Sequence, residues 1–311
     1  MISRRLLRIK AMQILYAHFQ TTDSSINKSE KELFYSIQKV YDLYFLILLL
    51  FTELVAIGYE KIEIGKNKHR PSYAELNPNL RFVQNKAIKQ LAENDILKNY
   101  VATNKLSWAN EPELLRRIYN IMVETEAYKN YMNSETNDYN ADKQFLIDFI
   151  TNDMELIEDI HGYLEELSIY WNDDYEFVLG MIVKTLGKFK QHHTYNAPLL
   201  NLFKNEADRD FVKNIFRKSI LKNVELTELI TKYSSNWDVE RIAFMDIVIL
   251  KMAVTEILEC TDIPMNVTFN EYIELSKYYS TQKSSLFING ILDKIVNSLK
   301  NKGLLKEKVM E

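Results

Sequence analysis

Residues Asp238 to Val296 read D-V-E-R-I-A-F-M-D-I-V-I-L-K-M-A-V-T-E-I-L-E-C-T-D-I-P-M-N-V-T-F-N-E-Y-I-E-L-S-K-Y-Y-S-T-Q-K-S-S-L-F-I-N-G-I-L-D-K-I-V, and this stretch decides the fold class. Its apolar residues recur at helical spacing: Ile288, Ile291, Leu292, Ile295 and Leu299 keep the i, i+3, i+4, i+7 stripe. Asp262-Ile263-Pro264 sets an acid before a proline, which suits a helix first turn because proline has no N–H to lose there. The spacing predicts helices over 206–234, 238–260, 264–280 and 284–302. Working outward, helix one covers 3–19, with Leu7, Ala11, Ile14, Leu15 and His18 on one stripe. A long helix follows over 29–64, where Ser29 and Glu32 form a capping-box candidate. Residues 65–79, holding Pro71 and Pro78, read as a loop, and 191–201, holding Pro198, as a connector. Between them helices are expected over 80–103, 110–132, 140–170 and 173–190. No strand-length alternation bounded by hairpin turns stands out, so the expected class is all-α.

Composition narrows the chemistry. Hydrophobic residues make up 47% and charged residues 26% of 311, a globular balance. Seven glycines, none closer than seven positions apart, rule out a G-x-G-x-x-G turn or a phosphate loop. One cysteine, Cys260, excludes an internal disulfide and a multi-thiolate zinc site; at the end of an apolar helix it is expected as a buried, inert thiol. Glu158-x-x-His161 has the spacing of a di-iron ligand pair, but a bundle site needs a second such pair and two more carboxylates. His192-His193 read as loop surface. No catalytic residue, metal or cofactor is expected.

Charge is unevenly spread. Residues 1–22 hold Arg4, Arg5, Arg8 and Lys10 and no acid, whereas residues 148–176 hold ten acids and no Lys or Arg. Positive charge in a helix first turn opposes the helix dipole at a cost of a few tenths of a kcal/mol per residue. With no acid within the next turn, local helix stability does not account for these arginines; a polyanion would, with a solvated, frayed terminus as the alternative. The acidic run reads as a solvated face or a dock for a basic partner. The apolar run 43–51 is too short to span a bilayer and is expected as a buried helix in a cytoplasmic protein, with no membrane partner.

Four ordered motifs carry a family resemblance. Arg4-Arg5-Leu-Leu-Arg8-Ile-Lys-Ala11-Met-Gln13-Ile-Leu15-Tyr16 opens the chain. Asp246-Ile-Val-Ile-Leu250-Lys251-Met-Ala253-Val-Thr-Glu256-Ile-Leu258 follows much later. Then come Asp262-Ile-Pro264 through Asn270-Glu271, Ile273-Glu274-Leu275 and Lys277, and finally Phe287-Ile-Asn289-Gly290-Ile-Leu-Asp293. Together they resemble the NusB family of bacterial transcription antitermination factors. The resemblance covers about 1–20 and 205–300, which are expected to form a NusB-like core over 1–20 and 205–302; 21–204 would add a helical segment on or beside it, and 303–311 a tail.

The resemblance implies an α-helical, non-enzymatic protein that binds the boxA element of ribosomal RNA transcripts with NusE, a small-subunit ribosomal protein, within the RNA polymerase antitermination complex. It implies RNA contacts from Arg4, Arg5, Arg8 and Lys10, and from Lys283, Ser284, Phe287 and Asn289 at the other end of the chain. A helix start suits a phosphate, and an exposed Phe287 could stack on a base, with core packing as its alternative. Tyr233 and Asp246 fall where the family contacts NusE; the alternative for Asp246 is an internal ion pair. Lys283 and Leu286 stand where family members often carry an acid and a base, and Thr255 where an aromatic is common. Two other functions fit less well: a helical scaffold in ribosome biogenesis, and the RNA-binding part of a ribosomal RNA methyltransferase system. The latter needs a Gly-rich cofactor turn and catalytic cysteines, against one Cys here.

Overall fold

The structure, a computed structural model, describes residues 2–234 and 242–303. All elements among the described residues are helical, as expected. In chain order they are α1 (Arg4–Gln20), α2 (Ile26–Lys66), α3 (Tyr73–Leu76), α4 (Lys86–Glu93), α5 (Asp95–Asn104), α6 (Pro112–Glu124), α7 (Glu126–Asn133) and α8 (Tyr139–Asn152). The second half holds α9 (Glu158–Leu167), α10 (Tyr175–Lys188), α11 (Glu206–Leu221), α12 (Asn223–Ser234), α13 (Phe244–Glu259), α14 (Met265–Tyr279) and α15 (Ser284–Asn301). Short 3-10 turns cover Met154–Leu156 and Gln191–Asn196.

Several expected helices are two. Asn94 splits 80–103 and Thr125 splits 110–132, because each caps the following helix: Leu97 N donates to Asn94 Oδ1 at 3.0 Å and Tyr128 N to Thr125 Oγ1 at 3.2 Å. The 140–170 helix breaks around Asp153–Ile157, and 206–234 at Lys222. The Ser29 capping box does not form. α2 starts three residues earlier, with Lys28 N donating to Ser25 Oγ, while Ser29 Oγ meets His18 Nδ1 at 2.8 Å. The expected start of a helix at 238 lies outside the described residues.

The chain divides into two compact units, Ile2–Ile37 with Phe203–Glu311 and Gln38–Leu202. The terminal unit reaches to Ile37, beyond the residue-20 boundary expected from sequence. Leu33 and Ile37 are buried in it, Glu30 pairs with Arg217 and Lys213, and Arg209 lies 5.5 Å over the Phe34 ring. Its centre is α13, buried on nearly every side through Val248–Ile257, as expected of a helix apolar all round. α11, α12, α14, α15 and α1 pack against it. α1 is itself buried from Leu6 to Met12, a wider face than the single stripe read from sequence, and that face includes Arg8 and Lys10.

The middle unit is built on α2 and on α8 packed with α4, α7 and α10. By length and composition α2 could cross a membrane, so the shortness of the 43–51 run is not what speaks against a span. Burial does: Leu43 to Leu48, Leu50, Phe51 and Leu54 are core residues. Gly58 permits the closest approach, since an added Cβ would sit 2.8 Å from Val83 Cγ1. Polar side chains from the connecting segments then tie onto backbone carbonyls. Trp108 Nε1 donates to Leu46 O at 2.9 Å, Trp171 Nε1 to Lys39 O at 2.7 Å and Asn94 Nδ2 to Ala197 O at 2.8 Å.

Candidate nucleic-acid interface

The first turn of α1 is ordered by Ser3, whose Oγ accepts from Leu6 N at 3.2 Å. Each arginine that follows finds a carboxylate. Arg4 donates from Nε to Asp208 Oδ1 at 2.8 Å and from Nη1 to Asp262 Oδ2 at 3.3 Å. Arg5 makes a two-pronged pair with Glu271, Nε and Nη2 donating at 3.0 and 2.9 Å. Arg8 does the same with Glu256 at 2.8 and 2.7 Å, and its side chain is only 3% exposed. Glu256 also accepts from Thr268 Oγ1 at 2.9 Å and Tyr272 OH at 3.0 Å, so the buried charge is fully hydrogen-bonded. Burial alone would lower the Arg8 pKa. The bonds to Glu256, with the negative charge around it, outweigh that and hold it above the usual arginine value.

Distant carboxylates therefore partner the arginines, an account that neither the polyanion nor the frayed terminus read from sequence included. Their acids arrive from 204, 248 and 266 residues away. Three guanidiniums meet four carboxylates (Asp208, Asp262, Glu256 and Glu271), so this cluster carries no surplus positive charge.

The other expected contact residues divide by burial. Arg8, Lys10, Ser284, Phe287 and Asp246 are inside the terminal unit, whereas Arg5 and Lys283 are exposed and Arg4, Asn289 and Tyr233 half-exposed. Ser284 was expected at RNA and Asp246 at a protein partner. They instead bond to each other, Ser284 Oγ donating to Asp246 Oδ2 at 2.8 Å, which replaces the Lys or Arg pair considered for Asp246. Asp246 Oδ1 is buried with no hydrogen bond. Tyr233 OH donates to Ser298 Oγ at 2.5 Å. Phe287 packs in the core, the alternative that sequence had left open. Among the described residues no group of His, Cys, Asp and Glu could hold a metal ion.

What remains at the surface is a strip along α14 into the start of α15. Arg5 is fixed on α14 through its Nε–Nη2 edge, which leaves the Nη1 side of the fork available. Lys277, Tyr278, Thr281, Gln282, Lys283 and Leu286 follow, all exposed. No side chain caps α15, whose N-cap is Lys283. Sequence reading missed Tyr278 and the four anchoring acids. Tyr278 could have been found, as an aromatic off the apolar stripe of α14; Glu256, Asp262 and Glu271 stand in the ordered motifs, but nothing local pairs them or Asp208 with the arginines.

The "NusB family" model matches residues 181–297, a span that leaves out α1. The transcription antitermination protein NusB of Geobacter sulfurreducens is 42% identical over 113 residues, 34% of this chain and 82% of that protein. That of Salinibacter ruber is 38% identical over 106 residues, 34% of this chain and 66% of that protein. A solved structure, T. maritima NusB, aligns with 50% of this chain and 88% of its own at 24% identity and a TM-score of 0.29. With four-fifths of the Geobacter protein matched at such identity, this chain belongs to the NusB family of transcription antitermination proteins.

Proposed function

We propose that this protein is an antitermination factor that binds boxA-type RNA of ribosomal RNA transcripts together with NusE and so modulates termination by RNA polymerase in the cytoplasm. The RNA surface is the Arg4–Arg5 end of α1, the exposed strip of α14 and the Lys283–Asn289 start of α15. One observation carries the RNA part of this reading. Arg5 is held rigid by Glu271 yet keeps 45% of its side chain exposed, which is the geometry of a preorganised phosphate contact. For the NusE part, half-exposed Tyr233 is the contact that remains at the surface, since Asp246 is buried against Ser284.

The test is binding of a boxA-containing RNA by the purified full chain, alone and with NusE, over a salt series. For a single strand, log affinity falls with log salt by about 0.7 per phosphate contact, so three contacts from Arg4, Arg5 and Lys283 give a slope of about −2. Arg5→Glu weakens binding and flattens that slope by about one contact. Arg8 is unsuitable for this test, because its replacement breaks the buried pair with Glu256. An Arg5→Glu protein with unchanged affinity and slope removes the proposed surface.

A further inference from the structure

Tyr278 is 80% exposed in the last turn of α14, the most exposed aromatic ring among the described residues of the terminal unit. Packing does not explain it, since α14 buries Tyr272, Leu275 and Ser276 and Tyr278 stands off that stripe. Glu271, Glu274 and Tyr278 are spaced i, i+3, i+7 and therefore share a face. The ring thus stands on the side of α14 whose Glu271 clamps Arg5. Glu274, between them, is engaged by Lys277 and so offers an incoming phosphate less repulsion. Five residues on, Lys283 adds an exposed cation at the α15 start.

We propose that Tyr278 is a stacking platform for one unpaired base of a single-stranded RNA whose neighbouring phosphate is held by Arg5. The assignment rests on the RNA-binding reading above and deepens it by naming what is recognised: an exposed base face, which duplex RNA keeps hidden within its stack. A base on a tyrosine ring contributes affinity without demanding a particular base, because every base has a π-face. The hydroxyl is not needed for this; the ring is.

The experiment measures binding of a short fluorescein-labelled RNA lacking self-complementarity, and of the same strand annealed to its complement, to the full chain. Tyr278→Ala is expected to weaken single-strand binding about tenfold and leave the salt slope unaltered, because stacking releases no counterions. Tyr278→Phe and Tyr278→Trp keep the affinity, and duplex binding is indifferent to all three. Helical circular dichroism is unchanged, as expected at so exposed a site. Arg5→Gln, run alongside, separates the two ideas. If it weakens binding while Tyr278→Ala does not, or if Tyr278→Ala weakens duplex and single strand equally, the stacking platform is wrong and RNA binding stands. If neither substitution changes affinity, the RNA surface itself is wrong and the platform goes with it.

Discussion

Where the terminal unit fastens α1 with guanidinium–carboxylate pairs, the middle unit fastens its helices with phenols, indoles and amides. Arg8 and Glu256 bury a full charge pair between α1 and α13. In the middle unit, Tyr44 OH meets Thr185 Oγ1 at 2.7 Å and accepts from Leu200 N at 3.2 Å, while Tyr131 OH donates to Asp142 Oδ1 at 2.7 Å. Both devices satisfy buried polar atoms, but they respond differently to their surroundings. Arginine keeps its charge at any ordinary pH, so alkali leaves its pairs intact, and they fail when the carboxylate is removed or protonated by acid. A buried phenol is neutral and stays so only while the solution is not too alkaline. The contrast also shows that an arginine-rich helix is no measure of basic surface, since carboxylates from distant helices can pair with that charge.

Alkali should separate the two units most strongly. Desolvation by burial pushes the pKa of Tyr41, Tyr44 and Tyr139 up from 10 to about 12, and raises those of Tyr100, Tyr128, Tyr131 and Tyr175 as well. In the terminal unit burial likewise raises the Tyr272 pKa, well above 10. A raised tyrosine pKa means that the native state holds its proton longer than the unfolded chain does. Its contribution is therefore complete below pH 10 and is lost as pH climbs from 10 towards 12. With so many such groups, the middle unit should open first, giving tyrosinate absorbance together with loss of Trp108 and Trp171 fluorescence shifts and of amide protection over 38–202. Protection lost first around α13 would reverse the comparison.

A smaller effect is expected from breaking the charged clip. Arg8→Met leaves Glu256 buried without its cation and should cost about 3–5 kcal/mol in urea unfolding, whereas Arg8→Met with Glu256→Met recovers most of it. A double variant as unstable as the single one would mean that the pair contributes more than the removal of a stranded charge. The smallest effect belongs to the middle unit's hydroxyls. Tyr44→Phe strands the Leu200 N–H, while the Thr185 hydroxyl keeps its bond to Met181 O, and should cost about 1–3 kcal/mol, read from the same denaturant curves. No measurable cost would show that water replaces the phenol there.

Much of the helical layout was legible in the sequence. The stripe of α15 and the apolar α13 follow from spacing alone, because a helix must turn its apolar residues to one side or be buried all round. The breaks at Asn94 and Thr125 were legible too, and missed: each is a capping residue followed at once by an acid, Asp95 and Glu126, which the helix dipole favours in a first turn. The break at Lys222 carries no such signal.

The candidate surface was legible only in outline. Arg4, Arg5 and Arg8 are adjacent in the chain and chemically alike, yet Arg5 is exposed, Arg4 half-exposed and Arg8 buried. α1 turns by about 100° per residue, which sets Arg5 apart from Arg4, whereas Arg4 and Arg8, one turn apart over the Phe211 ring, differ in how far they lie from the helix start. Likewise Ser284 and Asp246, read from sequence as contacts to two different partners, are one another's partner.

By itself the sequence determined an all-helical chain, its family and a concentration of arginine at its start, because periodicity and ordered motifs are properties of the chain taken locally. Only the tertiary structure decided which of those arginines solvent can reach and that one of them is clamped to the face of α14 that carries Tyr278. That choice depends on carboxylates more than two hundred residues away, brought close when α1 packs into the terminal unit.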